Sequence, residues 1–101
     1  MKYVYLIRGN DGRYKIGIAD NPMKRIRQLQ TGNSDPLTLI EIYQSENARK
    51  IESALHNRYS HARNVGEWFD LSVVEEANFY KMCEDIDKTI GHLHEMGNIF
   101  V

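Results

Sequence analysis

The chain of 101 residues is long enough for one domain with its own core, since 42% of its residues are hydrophobic and ten are aromatic. It holds no apolar run approaching the ~20 residues of a membrane span, and its N-terminus shows no signal-peptide pattern. The single cysteine, Cys83, excludes an internal disulfide. It fits a reducing compartment, so we expect a cytoplasmic protein.

The net charge of −1 hides an uneven distribution of charge along the chain. Residues 1–31 carry seven Lys or Arg against two Asp or Glu, residues 32–70 carry four against six, and residues 71–101 carry two against six. A polyanion would therefore be attracted to the first third and repelled by the last third.

The first twenty residues predict an antiparallel β-hairpin. Residues 2–8 and 13–19 are rich in β-branched and aromatic side chains, and the Asp11-Gly12 step between them suits a tight turn. Side chains alternate along a strand, so an apolar set faces the core, namely Tyr14, Ile16 and Ile18. Lys15 and Gly17 then lie on the opposite face, where the glycine lets another group approach the backbone closely.

A short helix is predicted to follow the hairpin. Asn21 is a good N-cap, Pro22 suits the first helical position, and Gly32 is a suitable end. The helix is expected to bury an apolar stripe, Met23, Ile26 and Leu29. Its other face turns polar side chains toward solvent, namely Lys24, Arg25, Arg27 and Gln28.

The middle of the chain predicts a third strand over residues 37–43 and a second helix, capped by Ser45, that runs to about Tyr59. The apolar stripe of this helix consists of Ala48, Ile51, Leu55 and Tyr59. Glu52 lies at the edge of the stripe, where an unpaired carboxylate is costly to bury. It either forms an ion pair, with Arg49 or His56, or binds a metal ion.

A last helix is predicted from the capping-box pattern of residues 72–75 to Met96, with Gly97 as its end. Its apolar positions alternate spacings of four and three residues, namely Phe79, Cys83, Ile86, Ile90 and Leu93. Such a stripe usually packs on its own domain. The alternative is a short coiled-coil seam, which would give a homodimer through residues 73–96.

The order of these motifs resembles the GIY-YIG nuclease superfamily. Tyr3-Val4-Tyr5, the glycine turn, Lys15-Ile16-Gly17 and Asn21-Pro22 with Arg25 follow its pattern. Within it they resemble a branch of short phage and bacterial DNA-binding domains, the meiotically up-regulated gene 113 type, which carries KIG in place of YIG. Residues 52–56 and 66–69 are similar to the E-x-x-L-H and GEWF signatures of that branch. We expect Trp68 and Phe69 to pack in the core or at the sheet edge.

The resemblance covers residues 1–71 and implies an α+β fold of the α/β sandwich type. It predicts a three-stranded antiparallel sheet flanked by helices over residues 1–71. Residues 72–101 are then a C-terminal helical extension, which we expect to pack on the same domain.

The resemblance also implies roles for individual residues in metal-dependent cleavage of DNA. Tyr5 would activate water, Arg25 would hold phosphate, and Glu52 would bind one Mg²⁺ or Mn²⁺ ion. Lys15 replaces the second tyrosine of the family and would stabilise negative charge beside the phosphate. The implied DNA-binding residues are Lys15, Lys24, Arg25 and Arg27, and the accessory candidates are Tyr3, Gly17, His56 and Asn64.

Two departures from the family pattern leave alternatives open. No glycine precedes Tyr3, and Ala19 stands where the family usually has threonine or serine. The leading hypothesis is a DNA endonuclease. The second is a non-catalytic DNA-binding module on the same scaffold, and the third is an interaction protein that uses its last helix.

Overall fold

The structure, a computed structural model, describes residues 2–63 and 66–95, with side chains through residue 93. Four strands form one antiparallel sheet in the order β3-β1-β2-β4: β1 (Lys2–Arg8), β2 (Tyr14–Ala19), β3 (Thr38–Ser45) and β4 (Trp68–Phe69). The helices are α1 (Pro22–Thr31), α2 (Ala48–Arg58), α3 (Val73–Ala77) and α4 (Phe79–Glu95), with a 3₁₀ turn at Ser60–Ala62. The predicted α+β class is confirmed. No helix in these ranges is both long and apolar enough to cross a bilayer.

The predicted hairpin is confirmed, together with its turn. Gly12 has a φ of +86°, and its N–H donates to the Gly9 carbonyl at 3.0 Å. The Gly9 N–H donates in turn to the Arg13 carbonyl at 2.8 Å. A residue with a Cβ is strained at this φ, which explains the glycine of the Asp-Gly step.

One face of the sheet carries the main core. Val4, Leu6 and Ile16 are buried there against the apolar stripe of α2. The stripe predicted for this helix is confirmed, since Ala48, Ile51, Leu55 and Tyr59 are all buried. Full burial of each large aliphatic side chain contributes about 1.5–3 kcal/mol. This contact therefore fixes α2 on the sheet.

The opposite face carries α1, whose N-cap is confirmed because Asn21 Oδ1 accepts from the Lys24 N–H at 3.1 Å. The predicted burial of its apolar stripe is wrong at Met23, which is 55% exposed. Ile26 and Leu29 are only partly buried. The helix lies shallowly on the sheet, and Pro22 is its one fully buried residue.

The sequence predicts three strands, and the described ranges contain a fourth. β4 is two residues long and pairs with Tyr14 and Lys15 at the outer edge of β2. Two residues are too short to show an alternating pattern, so the strand has no sequence signal. Phe69 is fully buried and Trp68 partly buried, which confirms the packing expected for both.

The predicted start of the second helix is wrong by two residues. Ser45 ends β3, where it pairs with Lys2, and α2 begins only at Ala48. The Ser45 hydroxyl instead accepts from the Asn47 N–H at 2.9 Å, within the turn between the two elements. Sheet pairing thus extends β3 to a residue whose side chain would also suit a helix cap.

The single last helix of the prediction is divided into α3 and α4 at Asn78. The capping box of Ser72 and Glu75 is confirmed, with both reciprocal hydrogen bonds present at 2.9 and 3.1 Å. The break lets Phe79 and Cys83 enter the main core, so the stripe of α4 packs on its own domain. Met96 and Gly97, the predicted end, lie outside the described residues.

A partly buried polar contact attaches α4 to the sheet. The Asp87 carboxylate accepts from the Tyr43 hydroxyl at 2.7 Å and from the Asn47 amide at 3.0 Å. Burial raises the pKa of this carboxyl, but hydrogen bonds from Asn47, Tyr43 and Ser45 outweigh it and hold the pKa below its usual value. The ionised form therefore stabilises the folded state.

Asp87→Asn is expected to lower the free energy of unfolding by about 1–2 kcal/mol at neutral pH, because charge-assisted hydrogen bonds are lost. The contribution is complete above about pH 4, the ordinary pKa of aspartate, and disappears as pH falls through the lower folded-state pKa. Denaturant melts across this range should show the two proteins converging in acid. Asp85→Asn, an exposed acid on the same helix, is the control, and an equal loss there would contradict the assignment.

Candidate functional site

Tyr5 and Gly17 lie opposite each other on the two strands of the hairpin. Tyr5 is only 3% exposed, and a Cβ built on Gly17 would overlap its hydroxyl and ring. The expectation that Gly17 permits a close approach is therefore confirmed, and the group that approaches is the Tyr5 phenol. The missing side chain of Gly17 lets the phenol lie against β2.

Lys15 lies on the same face of the sheet as Gly17, as predicted. Its side chain is 13% exposed, and its ammonium is 2.5 Å from the Glu67 carboxylate and 5.8 Å from the centroid of the Trp68 ring. A cleft of about 290 Å³ beside it is lined by Ile7 and by Leu29 of α1. The ammonium thus lies between the sheet, α1 and the turn before β4.

The positive charge of the first third is largely neutralised except on α1. Four of its seven basic residues form ion pairs: Lys2 with Asp20, Arg8 with Glu76, Arg13 with Asp11, and Lys15 with Glu67. The other three, Lys24, Arg25 and Arg27, are exposed on α1. No ion pair joins them to any residue the structure describes. Within the first third of the chain, the cations available to an external anion are thus concentrated on this helix.

Glu52 lies on α2 and is partly buried. Within residues 2–63 and 66–95 it makes no hydrogen bond and no ion pair, so neither pairing considered from the sequence, with Arg49 or with His56, is formed. A partly buried carboxylate without a protein partner is costly. Binding of a metal ion by Glu52 stays a prediction.

His56, one turn after Glu52, connects α2 to β2. Its Nε2–H donates to the Ile16 carbonyl at 2.9 Å, and its Nδ1 accepts from the Arg63 guanidinium at 3.1 Å, which fixes the neutral tautomer. The ring packs edge-on against Phe69 with centroids 5.0 Å apart. Because both ring nitrogens are occupied, His56 is suited to position α2 rather than to exchange a proton.

The candidate residues are carried by β1 and β2 and by the helices on the two faces of the sheet. α1 covers the face that carries Tyr5 and Lys15, and α2 covers the opposite face. On β2, β4 pairs with Tyr14 and Lys15, and His56 contacts the next part of that edge at the Ile16 carbonyl. The structure brings Tyr5, Lys15 and Gly17 together. That Glu52 acts on the same phosphate as Tyr5 stays a prediction.

Two other accessory candidates have less evidence. Tyr3 is partly buried and lies opposite Ala19 at the end of the hairpin. Asn64 lies outside the described residues. No role was predicted for Glu67 or Arg63, although the Glu67 side chain contacts Lys15 and the Arg63 side chain contacts His56. The Glu67–Lys15 contact spans 52 positions, and no local pattern signals a pairing over such a distance.

The described residues could bind a divalent ion only if water and a substrate phosphate supplied most of its ligands. The described ranges contain no group of three or more His, Cys, Asp or Glu side chains that could hold a metal ion. Mg²⁺, however, is often bound by one or two carboxylates, with water and substrate phosphates as its remaining ligands. The unpartnered Glu52 fits this mode, in which a phosphate would complete the ion's coordination.

The fold and the site define a small α+β domain in which a cationic helix lies beside a tyrosine–lysine strand pair. The T5orf172 domain model matches residues 2–91, so the chain belongs to the T5orf172 domain family, which is associated with nucleases. This match supports a nuclease-type domain without singling out the KIG branch.

The chain is also similar to a viral protein. The chain is 30% identical over 86 residues to a protein of Invertebrate iridescent virus 6 provisionally named KilA-N domain-containing protein 315L. The alignment covers 78% of this chain but 37% of the viral protein, so the chain spans little more than a third of that relative. No solved structure shows a significant match to the chain.

Proposed function

We propose that this domain binds DNA and cleaves its phosphodiester bonds with the help of one divalent ion, as a GIY-YIG-type endonuclease domain with KIG in place of YIG. The observation that carries the proposal is the set of three exposed cations on α1, unpaired among the described residues, beside the face of Tyr5 and Lys15. Membership of a nuclease-associated family supports it.

In this proposal α1 and β2 bind the DNA backbone. Lys24 and Arg27 contact flanking phosphates, and the Arg25 guanidinium presents paired donors to the phosphate oxygens, which a lysine cannot copy. These contacts do not depend on base identity, so they determine affinity and orientation rather than sequence preference.

The chemistry follows from the groups beside the bound phosphate. Tyr5, held in place by Gly17, orients and activates the attacking water. Lys15 and Arg25 stabilise the negative charge that develops on the non-bridging oxygens. Glu52 would hold the Mg²⁺ or Mn²⁺ ion, which supplies Lewis-acid stabilisation at the leaving oxygen.

A nicking assay on supercoiled plasmid tests the proposal directly. The domain is incubated with Mg²⁺, with Mn²⁺ or with chelator, and we expect open-circular product only when a divalent ion is present. DNA binding without nicking under any of these conditions would favour the non-catalytic module.

The salt dependence of DNA binding tests the assignment of α1 as the DNA-binding surface. Each phosphate contact contributes roughly one unit to the slope of log affinity against log salt. Lys24→Ala or Arg27→Ala should therefore lower the slope by about one unit and weaken binding similarly on all sequences. Fluorescence anisotropy over a series of salt concentrations measures both effects. Lys88→Ala, an exposed lysine on acidic α4, should leave the slope unchanged, and an equal effect there would place the DNA elsewhere.

Two observations favour the alternative functions. The ion pair that occupies Lys15 is compatible with a binding module that performs no cleavage. The interaction role, through a homodimer at residues 73–96, is favoured by a groove of about 800 Å³ between α2 and α4 that includes Met82, Ile86 and Ile90. Partner binding that survives loss of Arg25 and Lys15, but is lost when the α4 stripe is disrupted, would identify the interaction role.

A further inference from the structure

The two partners of the Lys15–Glu67 ion pair differ in their exposure to solvent. The Lys15 side chain is 13% exposed and packs beside Trp68, whereas the Glu67 side chain is 66% exposed. The lysine is thus part of the sheet surface, and the glutamate reaches it from the solvent side. An anion arriving from solvent would meet Lys15 at the position that the carboxylate occupies.

Other groups also act on this carboxylate. The pKa of Glu67 is lowered, first by the hydrogen bond and charge of Lys15 and then by the nearby His56 and Arg25. Lys15 belongs to β2, His56 to α2 and Arg25 to α1. A single negative group is therefore located where three separate elements direct positive or polar groups.

A carboxylate and a phosphate diester offer the same chemistry to such a position, namely one negative charge shared between two oxygen acceptors. Arg25 and Lys15 are also the two cations that the proposed function assigns to a DNA phosphate. In the DNA-free protein the chain thus supplies an anion of its own at this position.

We propose that Glu67 is an internal substitute for a DNA phosphate, whose carboxylate must leave Lys15 before a phosphate oxygen can bind there. The proposal rests on the proposed function for the identity of the ligand. Displacement is feasible because Glu67 lies in an exposed turn, next to Gly66 with a φ of +61°. An ion pair with an exposed partner holds this position only weakly and changes an equilibrium by at most about fivefold.

Glu67→Gln tests the proposal because it keeps the shape of the side chain and removes its charge. We expect the variant to bind a short DNA duplex about two- to fivefold more tightly than the wild type, since the competing charge is gone. The matched control is Asp20→Asn, which also removes one negative charge, but from a carboxylate that pairs with Lys2 instead of Lys15. It should give only a small general increase in affinity.

A second comparison ties the effect to Lys15. In a Lys15→Met background the anion-binding group is absent, so Glu67→Gln should produce no more than the gain seen with Asp20→Asn. The proposal is overturned if Glu67→Gln weakens binding, if it matches Asp20→Asn, or if its gain persists without Lys15.

A readout without DNA separates this proposal from the proposed function. Trp68 is the only tryptophan and lies beside Lys15, so its fluorescence reports anions at this position. Inorganic phosphate should change the emission at a severalfold lower concentration in Glu67→Gln than in the wild type, and not at all in Lys15→Met. If neither the wild type nor any variant binds DNA, but phosphate sensitivity still falls from Glu67→Gln to the wild type to Lys15→Met, the proposed function fails. The assignment of an anion-binding position at Lys15 then stands. If the protein binds DNA but the three proteins do not differ in this way in their response to phosphate, the role of Glu67 is rejected.

Discussion

Glu52→Gln is expected to abolish metal-dependent nicking while leaving DNA affinity unchanged or slightly higher. The amide keeps the size of the side chain but lacks the charge that a hard divalent ion requires. The loss should be on the order of 10²-fold or more, as for removal of a preorganised electrostatic contact. Nicking rates over a range of Mg²⁺ and Mn²⁺ concentrations, with anisotropy on the same DNA, measure the two effects separately.

Stability measurements decide whether Glu52 has a different role. Because no described residue pairs with it, its replacement should change the free energy of unfolding by less than about 0.5 kcal/mol. Glu46→Gln, an exposed acid shortly before α2, serves as the control for both assays. A loss of about 3–5 kcal/mol, the size expected when a buried ion pair is broken, without any effect on nicking would show that Glu52 is structural. The enzyme hypothesis would then be dropped in favour of the binding module.

Gly17→Ala is expected to destabilise the domain and displace Tyr5 at the same time. The new methyl group would overlap the phenol, which is buried and cannot swing freely aside. Overpacking of this kind typically costs about 1–3 kcal/mol. Denaturant melts should show this loss, and nicking should fall even under conditions where the variant is fully folded.

Gly91→Ala is expected to stabilise the domain, in contrast to Gly17→Ala. Gly91 lies within α4, and a Cβ there meets no atom within 4 Å. Alanine should therefore stabilise the helix by about 0.5–1 kcal/mol. If Gly17→Ala were as stable as the wild type, the Tyr5 ring would have to move without cost, and the claim that Gly17 holds it would fail.

The parts of the fold that could be predicted from sequence are those with local signals. The hairpin turn at Gly12, the Asn21 cap and the capping box at Ser72 each depend on contacts within a few residues of the chain. β4 could not be predicted, because two residues acquire a strand conformation only through pairing with β2. The early start predicted for α2 fails for the same reason, since pairing with β1 keeps Ser45 in β3.

The candidate site divides in a similar way. Strand alternation places Lys15 and Gly17 on one face, and the structure agrees. Tyr5 lies over Gly17, and Glu67 pairs with Lys15. Both contacts depend on the tertiary structure, so they could not be predicted from the sequence. The positioning role of His56 likewise depends on a bond to the Ile16 carbonyl, a backbone group that carries no sequence signal.

The strand order β3-β1-β2-β4 has a consequence for how the site can open. Tyr5 lies on β1, which is paired along its length on both sides, so its backbone is released only when most of the sheet unfolds. Glu67 lies in the exposed turn before β4, and its side chain is held on Lys15 by one ion pair, so it can leave while the fully buried Phe69 stays in the core. One wall of the site is therefore as persistent as the domain itself, and the other can detach locally while the fold stays intact.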